Sequence, residues 1–367
     1  MRATPARFLP KPLQVLAWAT VAIGVSFLSY VVWYLFTHAL IGAPGRDIHN
    51  YILAGLRLNE GHPLYTYGPG DEVVPSGGGF SDYALYSPPL IGVVFRLIVL
   101  LPANGQYISW IAMDALELLA IAMLVRRAPL LTGVALMVLG VPIGVLLEFG
   151  NVDCLVAFGM LAAWRWLVEG HDERAAILIA VLASLKLTPV IFVWWLYVTG
   201  RRRAAAVGIG VGVGCGLIAM AGSEPLIMVK FLQVTTTNVA GPATVTGAAG
   251  LATVLGLPSV LAAWLPRVIL ISGIGAMWVA RRTPGISFAI GASLMWLASP
   301  VASVHTPALI LVALGPAAWP MARSIAGGKP ESSGRTAAPH KIEAMAVASS
   351  EFDPGAVVGG TSLTARP

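Results

Sequence analysis

Charged side chains are scarce in this chain, and their scarcity decides its broad class. Asp, Glu, Lys and Arg make up 11% of the 367 residues, whereas soluble domains carry about a quarter. Hydrophobic residues make up 57%. Apolar runs of about 17–25 residues, the length that crosses roughly 30 Å of hydrocarbon, recur along the sequence. The composition excludes an ordinary soluble domain and predicts an all-α polytopic membrane protein.

Further absences narrow the function classes. There are two cysteines, Cys154 and Cys215, and both lie in apolar segments, so no disulfide framework is predicted. The sequence contains no Walker loop, Rossmann fingerprint, Cys/His metal cluster or Gly-x-Ser-x-Gly elbow. The net charge of +6 does not indicate nucleic-acid binding, because the basic residues lie where membrane topology requires them. We therefore expect no metal, no cofactor and no nucleic-acid partner.

The basic residues predict the orientation in the membrane. Cytoplasmic loops carry an excess of Lys and Arg, and such clusters occur at the N-terminus, at Arg126-Arg127, at Arg165 with Arg174, at Arg201-Arg202-Arg203, at Arg281-Arg282 and in the C-terminal tail. We expect these clusters and both termini to be cytoplasmic in a multi-pass protein of the plasma membrane. The loop of residues 41–85 is then extracytoplasmic. The first apolar run, Leu13 to Leu40, is far longer than the core of about 7–15 residues that a cleavable signal has.

The predicted organisation is a short N-terminus (1–12), a membrane domain (13–322) and a tail (323–367) whose Gly, Ser, Ala and Pro content is typical of disorder. Full spans are predicted at 13–38, 106–125, 129–147, 152–168, 204–222, 255–280, 285–299 and 305–321. Two further apolar segments, residues 88–101 and 175–199, cannot be assigned as ordinary full spans. The total is about ten spans, within a range of roughly eight to twelve.

The first of these segments, residues 88–101, is broken by Arg96 and is predicted to be a re-entrant or interfacial helix. The second, residues 175–199, has arginines on both flanks and is divided by Lys186 and Pro189. We interpret it as a re-entrant helical hairpin rising from the cytoplasm with Lys186 near its apex, in a cavity. A long kinked span with one misjudged flank is the alternative.

Polar residues lie together just past the first apolar run, where ionisable groups are costly and usually functional. Residues 46–59 predict an amphipathic helix, ended by Gly61 and Pro63. Asp47 is suited to act as a general base on a hydroxyl group. The alternative, compatible with that role, is a cap for a helix beginning at Ile48. Tyr51 lies one turn further on the same face, suited to an acceptor pocket or to anchoring at the interface.

Other polar residues lie at the ends of the predicted spans or, for Lys186 and Arg267, within the apolar segments. Lys186 is suited to bind phosphate, and a snorkelling lysine is the alternative. His305 is suited to contact a phosphate or a sugar hydroxyl, although a lone histidine at the membrane interface usually has no specific role. Asn151 offers a donor and an acceptor to a sugar, or simply forms a polar turn. Arg267 fits phosphate binding and snorkelling equally.

Two acids, Asp114 and Glu117, lie three residues apart within the predicted span 106–125. Carboxylates inside a membrane segment are rare and normally need a partner of opposite charge. We predict that they pair with Arg96 and assign them no catalytic task.

Five short motifs, in their order along the chain, resemble the motifs of glycosyltransferase family 87. They are Asp47-x-x-x-Tyr51-x-x-Ala54 followed by Gly61-x-Pro63-x-Tyr65, then Tyr86-Ser87-Pro88-Pro89, Phe149-Gly150-Asn151, Leu185-Lys186-x-x-Pro189, and Ser299-Pro300 through His305. The chain departs from the family pattern by the extra serine at Ser87. It also lacks the glutamine of the Asn151 turn and the tryptophan and second histidine of the last motif.

The resemblance implies a helical bundle like those of the C-type glycosyltransferases, with amphipathic helices in its extracytoplasmic loop. It implies inverting transfer of a sugar, mannose above all and arabinose as an alternative, from a polyprenyl-phosphate donor to a lipid or glycolipid acceptor. Asp47 would be the base, and Lys186, His305 and Arg267 would stabilise the leaving phosphate. Asn151, Tyr51 and Tyr86 would bind substrate.

Two other functions remain open at the level of sequence. A transporter or lipid flippase would use Asp114, Glu117 and Lys186 along its path, but such proteins usually contain repeated halves with paired broken helices, and no internal repeat is apparent. A catalytically inactive binder of lipid-linked glycans would explain the missing motif residues.

Overall fold

The computed structural model describes residues 10–38, 44–72, 84–237, 247–299 and 302–321. Within these ranges the chain is helical, without β-strands. Some predictions fall outside the described residues: most of the N-terminal segment, parts of the loop 41–85, Pro300 and Val301 of the late motif, and the tail 323–367.

The α-helices are numbered in chain order. They are α1 (Lys11–His38), α2 (Arg46–Glu60), α3 (Pro89–Ile98), α4 (Ala103–Arg127), α5 (Pro129–Phe149), α6 (Asp153–Val168), α7 (Asp172–Leu185), α8 (Ile191–Val198), α9 (Arg202–Ala221), α10 (Ile227–Thr237), α11 (Ala248–Val254), α12 (Ser259–Val279), α13 (Pro284–Leu297) and α14 (Gly315–Ala318). Short 3₁₀ segments lie at Thr188–Val190, Ala280–Arg282 and Thr306–Leu314.

Several helices are long and apolar enough to cross a membrane, which confirms the predicted class of helical membrane protein. They are α1, α4, α5, α9 and α12 with its following 3₁₀ turn. The segments predicted as spans at 152–168, 285–299 and 305–321 are also helical but shorter. Of these, α6 has 16 residues and is therefore about 24 Å long at 1.5 Å per residue. The total of about ten spans stays a prediction.

Small residues bring α1 and α5 into close contact. A Cβ at Gly24 would lie 2.7 Å from the carbonyl oxygen of Gly133, and a Cβ at Gly133 would lie 2.6 Å from the backbone of Thr20. Glycine at both positions lets the two backbones approach, as in many membrane helix pairs. Nearer the C-terminal end of α5, which carries one wall of the site described below, a Cβ at Gly144 would lie 2.7 Å from the Val31 side chain of α1, so the two helices stay in close contact there as well.

The predicted amphipathic helix is α2, and its end matches the prediction. Gly61 follows it with a φ of +77°, a conformation that glycine adopts readily. A Cβ at Gly55 would lie 2.6 Å from the backbone of Phe95, so α2 packs directly on α3. Buried Ile48 and Tyr51 lie in the apolar cluster that joins the two helices. This packing holds the first turn of α2 in place.

The segment 175–199 is broken at the predicted position. Helix α7 ends at Leu185, and Lys186 is extended, with φ −143° and ψ 122°. The two ends of the segment meet, because Arg201 Nε lies 3.0 Å from Asp172 Oδ1. The chain between them therefore reverses direction near Lys186. That this hairpin rises from the cytoplasm stays a prediction.

The predicted pairing of Asp114 and Glu117 with Arg96 is wrong. Arg96 instead donates hydrogen bonds to Asn59 Oδ1, at 2.9 Å, and to the carbonyl of Gly222, at 2.7 Å. These bonds tie α3 to α2 and to the end of α9, rather than to the acids on α4. Glu117 is fully buried, and its carboxylate oxygens have no hydrogen-bond partner among the described residues.

Candidate functional site

Asp47 is the second residue of α2, and its carboxylate faces another part of the chain. Helix α2 is preceded by Gly45, with φ +74°, and no side chain caps its N-terminus. The cap interpretation of Asp47 is therefore wrong. Its Oδ2 instead accepts a hydrogen bond of 2.6 Å from Asn151 Nδ2, 104 residues away. The N–H of Gly45 donates to the carbonyl of Glu148 at 2.6 Å, which anchors the helix start to the end of α5.

Asn151 is held rigidly in the turn between α5 and α6. Gly150 ends α5 with φ +65°, and a Cβ there would lie 2.7 Å from the Trp110 ring. Asn151 Oδ1 accepts a hydrogen bond of 2.9 Å from the backbone N–H of Asp153. With its oxygen so engaged, the amide presents its Nδ2 to Asp47. The asparagine thereby orients the carboxylate.

Asp153 pairs with Lys186, a partnership that the sequence analysis missed. The Asp153 side chain is completely buried, and Lys186 Nζ lies 3.1 Å from each of its carboxylate oxygens. A largely buried lysine needs a charge partner, and Asp153, two residues after Asn151, was an acid in the sequence that could supply one. The pair joins the apex of the 175–199 hairpin to the first turn of α6.

His305 lies between the two carboxylates. Its Nε2 is 3.6 Å from Asp153 Oδ2 and 4.0 Å from Asp47 Oδ2. The ring lies edge-on to Phe149 at 6.0 Å between centroids, and the Ser303 hydroxyl is 2.9 Å from the ring nitrogens. The residue is 4% exposed, and such burial favours the neutral imidazole.

The environment makes Asp47 a stronger base than an ordinary aspartate. Burial raises its pKa above the usual value, while the hydrogen bond from Asn151 and the charges of Arg46 and Lys186 pull the pKa down less strongly. A base with a raised pKa drives proton abstraction better, provided that it is ionised when substrate binds.

Tyr51 lies one helical turn after Asp47, as predicted, and is 3% exposed. Its ring packs against Phe95 at 5.5 Å between centroids. Burial first, and then the charges of Asp47 and Asp153, raise the pKa of Tyr51 well above 10, while its hydrogen bond with the Ser87 side chain lowers the pKa. The phenol is therefore neutral. The family-atypical serine thus contacts the candidate site.

The remaining predicted residues lie in different places. Tyr86 is partly buried against the apolar cluster that contains Tyr51. Arg267 is exposed on α12, where it donates to the carbonyl of Ala263 at 3.2 Å and lies 5.0 Å from the Trp264 ring centroid. Its contacts within the described ranges are local to its own helix, and they do not link it to Asp47. No group of three His, Cys, Asp or Glu side chains in the described part of the chain could hold a metal ion.

Comparison with known proteins agrees with the resemblance seen in the sequence. The sequence model of glycosyltransferase family 87 matches residues 85–300, more than half of the chain. The match includes Asn151 and Lys186 and leaves Asp47 and His305 outside it. No curated protein and no solved structure matches.

Proposed function

The chain belongs to glycosyltransferase family 87, and from that premise we propose the following reaction. It transfers a sugar, with mannose expected, from a polyprenyl-phosphate donor to the hydroxyl group of an acceptor, expected to be a glycolipid. The reaction takes place at the extracytoplasmic face of the plasma membrane, with inversion at the anomeric carbon.

One observation carries the proposal. Four side chains with the required chemistry converge from separate segments: Asp47 from α2, Asn151 from the α5–α6 turn, Lys186 from the hairpin and His305 from the late loop. Asp47 is hydrogen-bonded to Asn151 at 2.6 Å and lies 4.0 Å from His305. Lys186 joins through Asp153. Charges that are largely removed from water are expensive, so the meeting of Asp47, Asp153 and Lys186 beside a histidine supports a catalytic role.

The proposed chemistry uses each group once. A carboxylate oxygen of Asp47 takes the proton of the acceptor hydroxyl group while the hydroxyl oxygen attacks the anomeric carbon of the donor sugar. The bond from that carbon to the phosphate oxygen breaks, and the electron pair leaves with the polyprenyl phosphate. Lys186 and His305 stabilise the charge that develops on the phosphate. Because the phosphate is a good leaving group, no general acid is required.

The predicted topology belongs to the same proposal. The loop that contains α2 would be extracytoplasmic, both termini cytoplasmic, and the bundle would contain about ten spans. The arginines at 201–203 support this orientation, because they meet the start of α7 at the end of the hairpin remote from Lys186. A lipid donor would reach the site laterally from the bilayer.

The test is transfer of radiolabelled mannose from polyprenyl-phosphate-mannose to a membrane lipid extract by the protein in nanodiscs. Wild type is compared with Asp47→Asn, and Asp172→Asn, which alters an exposed aspartate paired with Arg201, is the matched control. We expect transfer by wild type and control alone. Transfer by all three would refute Asp47 as the base. If wild type transferred neither mannose nor, from the matching donor, arabinose, the proposed reaction would be wrong.

A further inference from the structure

Arg46 differs from Lys186 in having no charge partner among the described residues. Lys186 is neutralised by Asp153 at 3.1 Å. None of the ion pairs among the described residues includes Arg46, and its Nε is buried without a hydrogen-bond partner there. Buried donors are almost always satisfied, so an unpaired guanidinium nitrogen beside a candidate base indicates a position for a ligand.

The position of Arg46 is set by Phe149 and by the start of α2. The guanidinium carbon lies 5.7 Å from the centroid of the Phe149 ring, and the same ring packs edge-on against His305. The Phe149 ring thus contacts both the guanidinium of Arg46 and the imidazole of His305. The charge of Arg46 acts on both Asp47 and His305, so the guanidinium lies within electrostatic reach of the reacting groups.

The chemistry of guanidinium matches a phosphate. Its planar fork presents parallel N–H donors that fit two phosphate oxygens, and charge-assisted bonds of this kind are the strong ones. Of the two cations, only Arg46 can offer its full charge, because the ammonium of Lys186 is already shared with a carboxylate. An anion bound at Arg46 would also offset the charge that lowers the basicity of Asp47.

We propose that Arg46 is the principal ligand of the donor's phosphate group, with Lys186 in a supporting position that neutralises Asp153. This inference rests on the proposed sugar transfer, and it adds a binding residue that neither the motifs nor the family match identifies. Arg46 lies in the first turn of α2 beside Asp47, so one helix start would carry both the base and the phosphate ligand. The positive end of a helix favours an anion there as well.

The experiment separates phosphate recognition from binding of the prenyl chain. Binding of decaprenyl phosphate and of decaprenol to the protein in nanodiscs is measured by native mass spectrometry. The variants are Arg46→Gln, Arg46→Lys and Lys186→Gln, and Arg165→Gln, whose residue forms an exposed pair with Glu169, is the matched control. We expect Arg46→Gln to weaken decaprenyl phosphate binding by roughly ten- to a hundredfold while decaprenol binding stays unchanged. Lys186→Gln should have a smaller effect.

Arg46→Lys covers the case in which Arg46→Gln fails to fold. It keeps the positive charge and removes only the paired N–H donors of the guanidinium. It should raise the KM for the donor several-fold and leave the KM for the acceptor unchanged. Wild-type affinity of Arg46→Gln for decaprenyl phosphate, or a larger loss in Lys186→Gln, would overturn the inference and leave the proposed reaction standing. If wild type bound decaprenol and decaprenyl phosphate equally, the proposed function would fail together with it.

Discussion

Two carboxylates lie at the two ends of helix α2, Asp47 within its first turn and Asp71 in the loop that follows it, and they are satisfied in different ways. Near its C-terminus, Asp71 accepts hydrogen bonds from the Gly68 N–H and from His62 Nδ1, both at 2.7 Å, and lies 3.4 Å from Arg57 Nε. These contacts, the Gly68 bond above all, lower the pKa of Asp71 below its usual value. At the N-terminus, burial raises the pKa of Asp47.

The difference separates a structural carboxylate from a candidate catalytic one. Asp71 has partners on both oxygens and is stabilised as an anion, so it holds the loop after α2 against the helix. Asp47 receives one strong hydrogen bond, from Asn151, and no Lys or Arg among the described residues forms an ion pair with it; the neutral imidazole of His305 lies 4.0 Å away. An incompletely compensated anion is poor for stability and useful for proton abstraction.

The largest expected effect comes from removing the two acids in turn. Asp47→Asn should lower turnover by about 10²–10⁴-fold, the usual contribution of a general base, and leave donor binding nearly unchanged. Asp71→Asn should leave turnover per folded molecule near that of wild type and lower the unfolding temperature. Initial rates and thermal unfolding, measured on the same preparations, distinguish them. Equal losses of turnover in both variants would contradict the comparison.

The ion pair of Asp153 and Lys186 extends the comparison to a carboxylate whose charge is compensated by a lysine, and its effect is on the stability of the fold. Removing one partner leaves an uncompensated charge, so Asp153→Asn should destabilise the protein by about 3–5 kcal/mol. The double variant Asp153→Asn with Lys186→Met should recover part of that loss. Thermal unfolding in one detergent measures both. A double variant less stable than Asp153→Asn would show that the pair is not the reason for the burial.

Replacing Asn151 tests whether its hydrogen bond sets the pKa of Asp47. Its hydrogen bond lowers the pKa of Asp47, so Asn151→Ala should raise that pKa and move the acidic limb of the pH–rate profile to higher pH. Loss of a bond to a charged group should also reduce kcat by roughly tenfold. An unmoved acidic limb would mean that Asp47 is not the titrating base. Asn59→Ala, which removes an asparagine bonded to Arg96, is the control.

The smallest effect is on the pH dependence of stability, and it has opposite sign for the two acids. The pKa of Asp71 is lowered in the folded state, so its stabilisation is present above the unfolded pKa of about 3.9 and is lost as the pH falls. The pKa of Asp47 is raised, so its ionisation destabilises the fold as the pH rises. At pH 7 we therefore expect Asp47→Asn to unfold at a higher temperature than wild type, and Asp71→Asn at a lower one, by on the order of a few degrees.

Local features of the fold were predictable from short stretches of sequence. The amphipathic pattern with Gly61 and Pro63 predicted α2 almost to its last residue, and Pro189 predicted the break beside Lys186. Both depend on backbone properties of neighbouring residues. The partner of Arg96 was predicted wrongly, because sequence spacing does not tell which helix face meets which.

The sequence by itself determined the class of protein, the places where its helices break, and which polar side chains interrupt the apolar body. These follow from composition and local chemistry. The tertiary structure alone decided which groups compensate these charges: Lys186 pairs with Asp153, 33 residues away, and Asp47 accepts a hydrogen bond from the amide of Asn151, 104 residues away. The physical reason is that a buried charge demands compensation from any group within a few ångströms, and only the packing of the helices selects that group. Among the residues that the structure describes, the same packing gives Arg46 an aromatic contact with Phe149 and no ion pair.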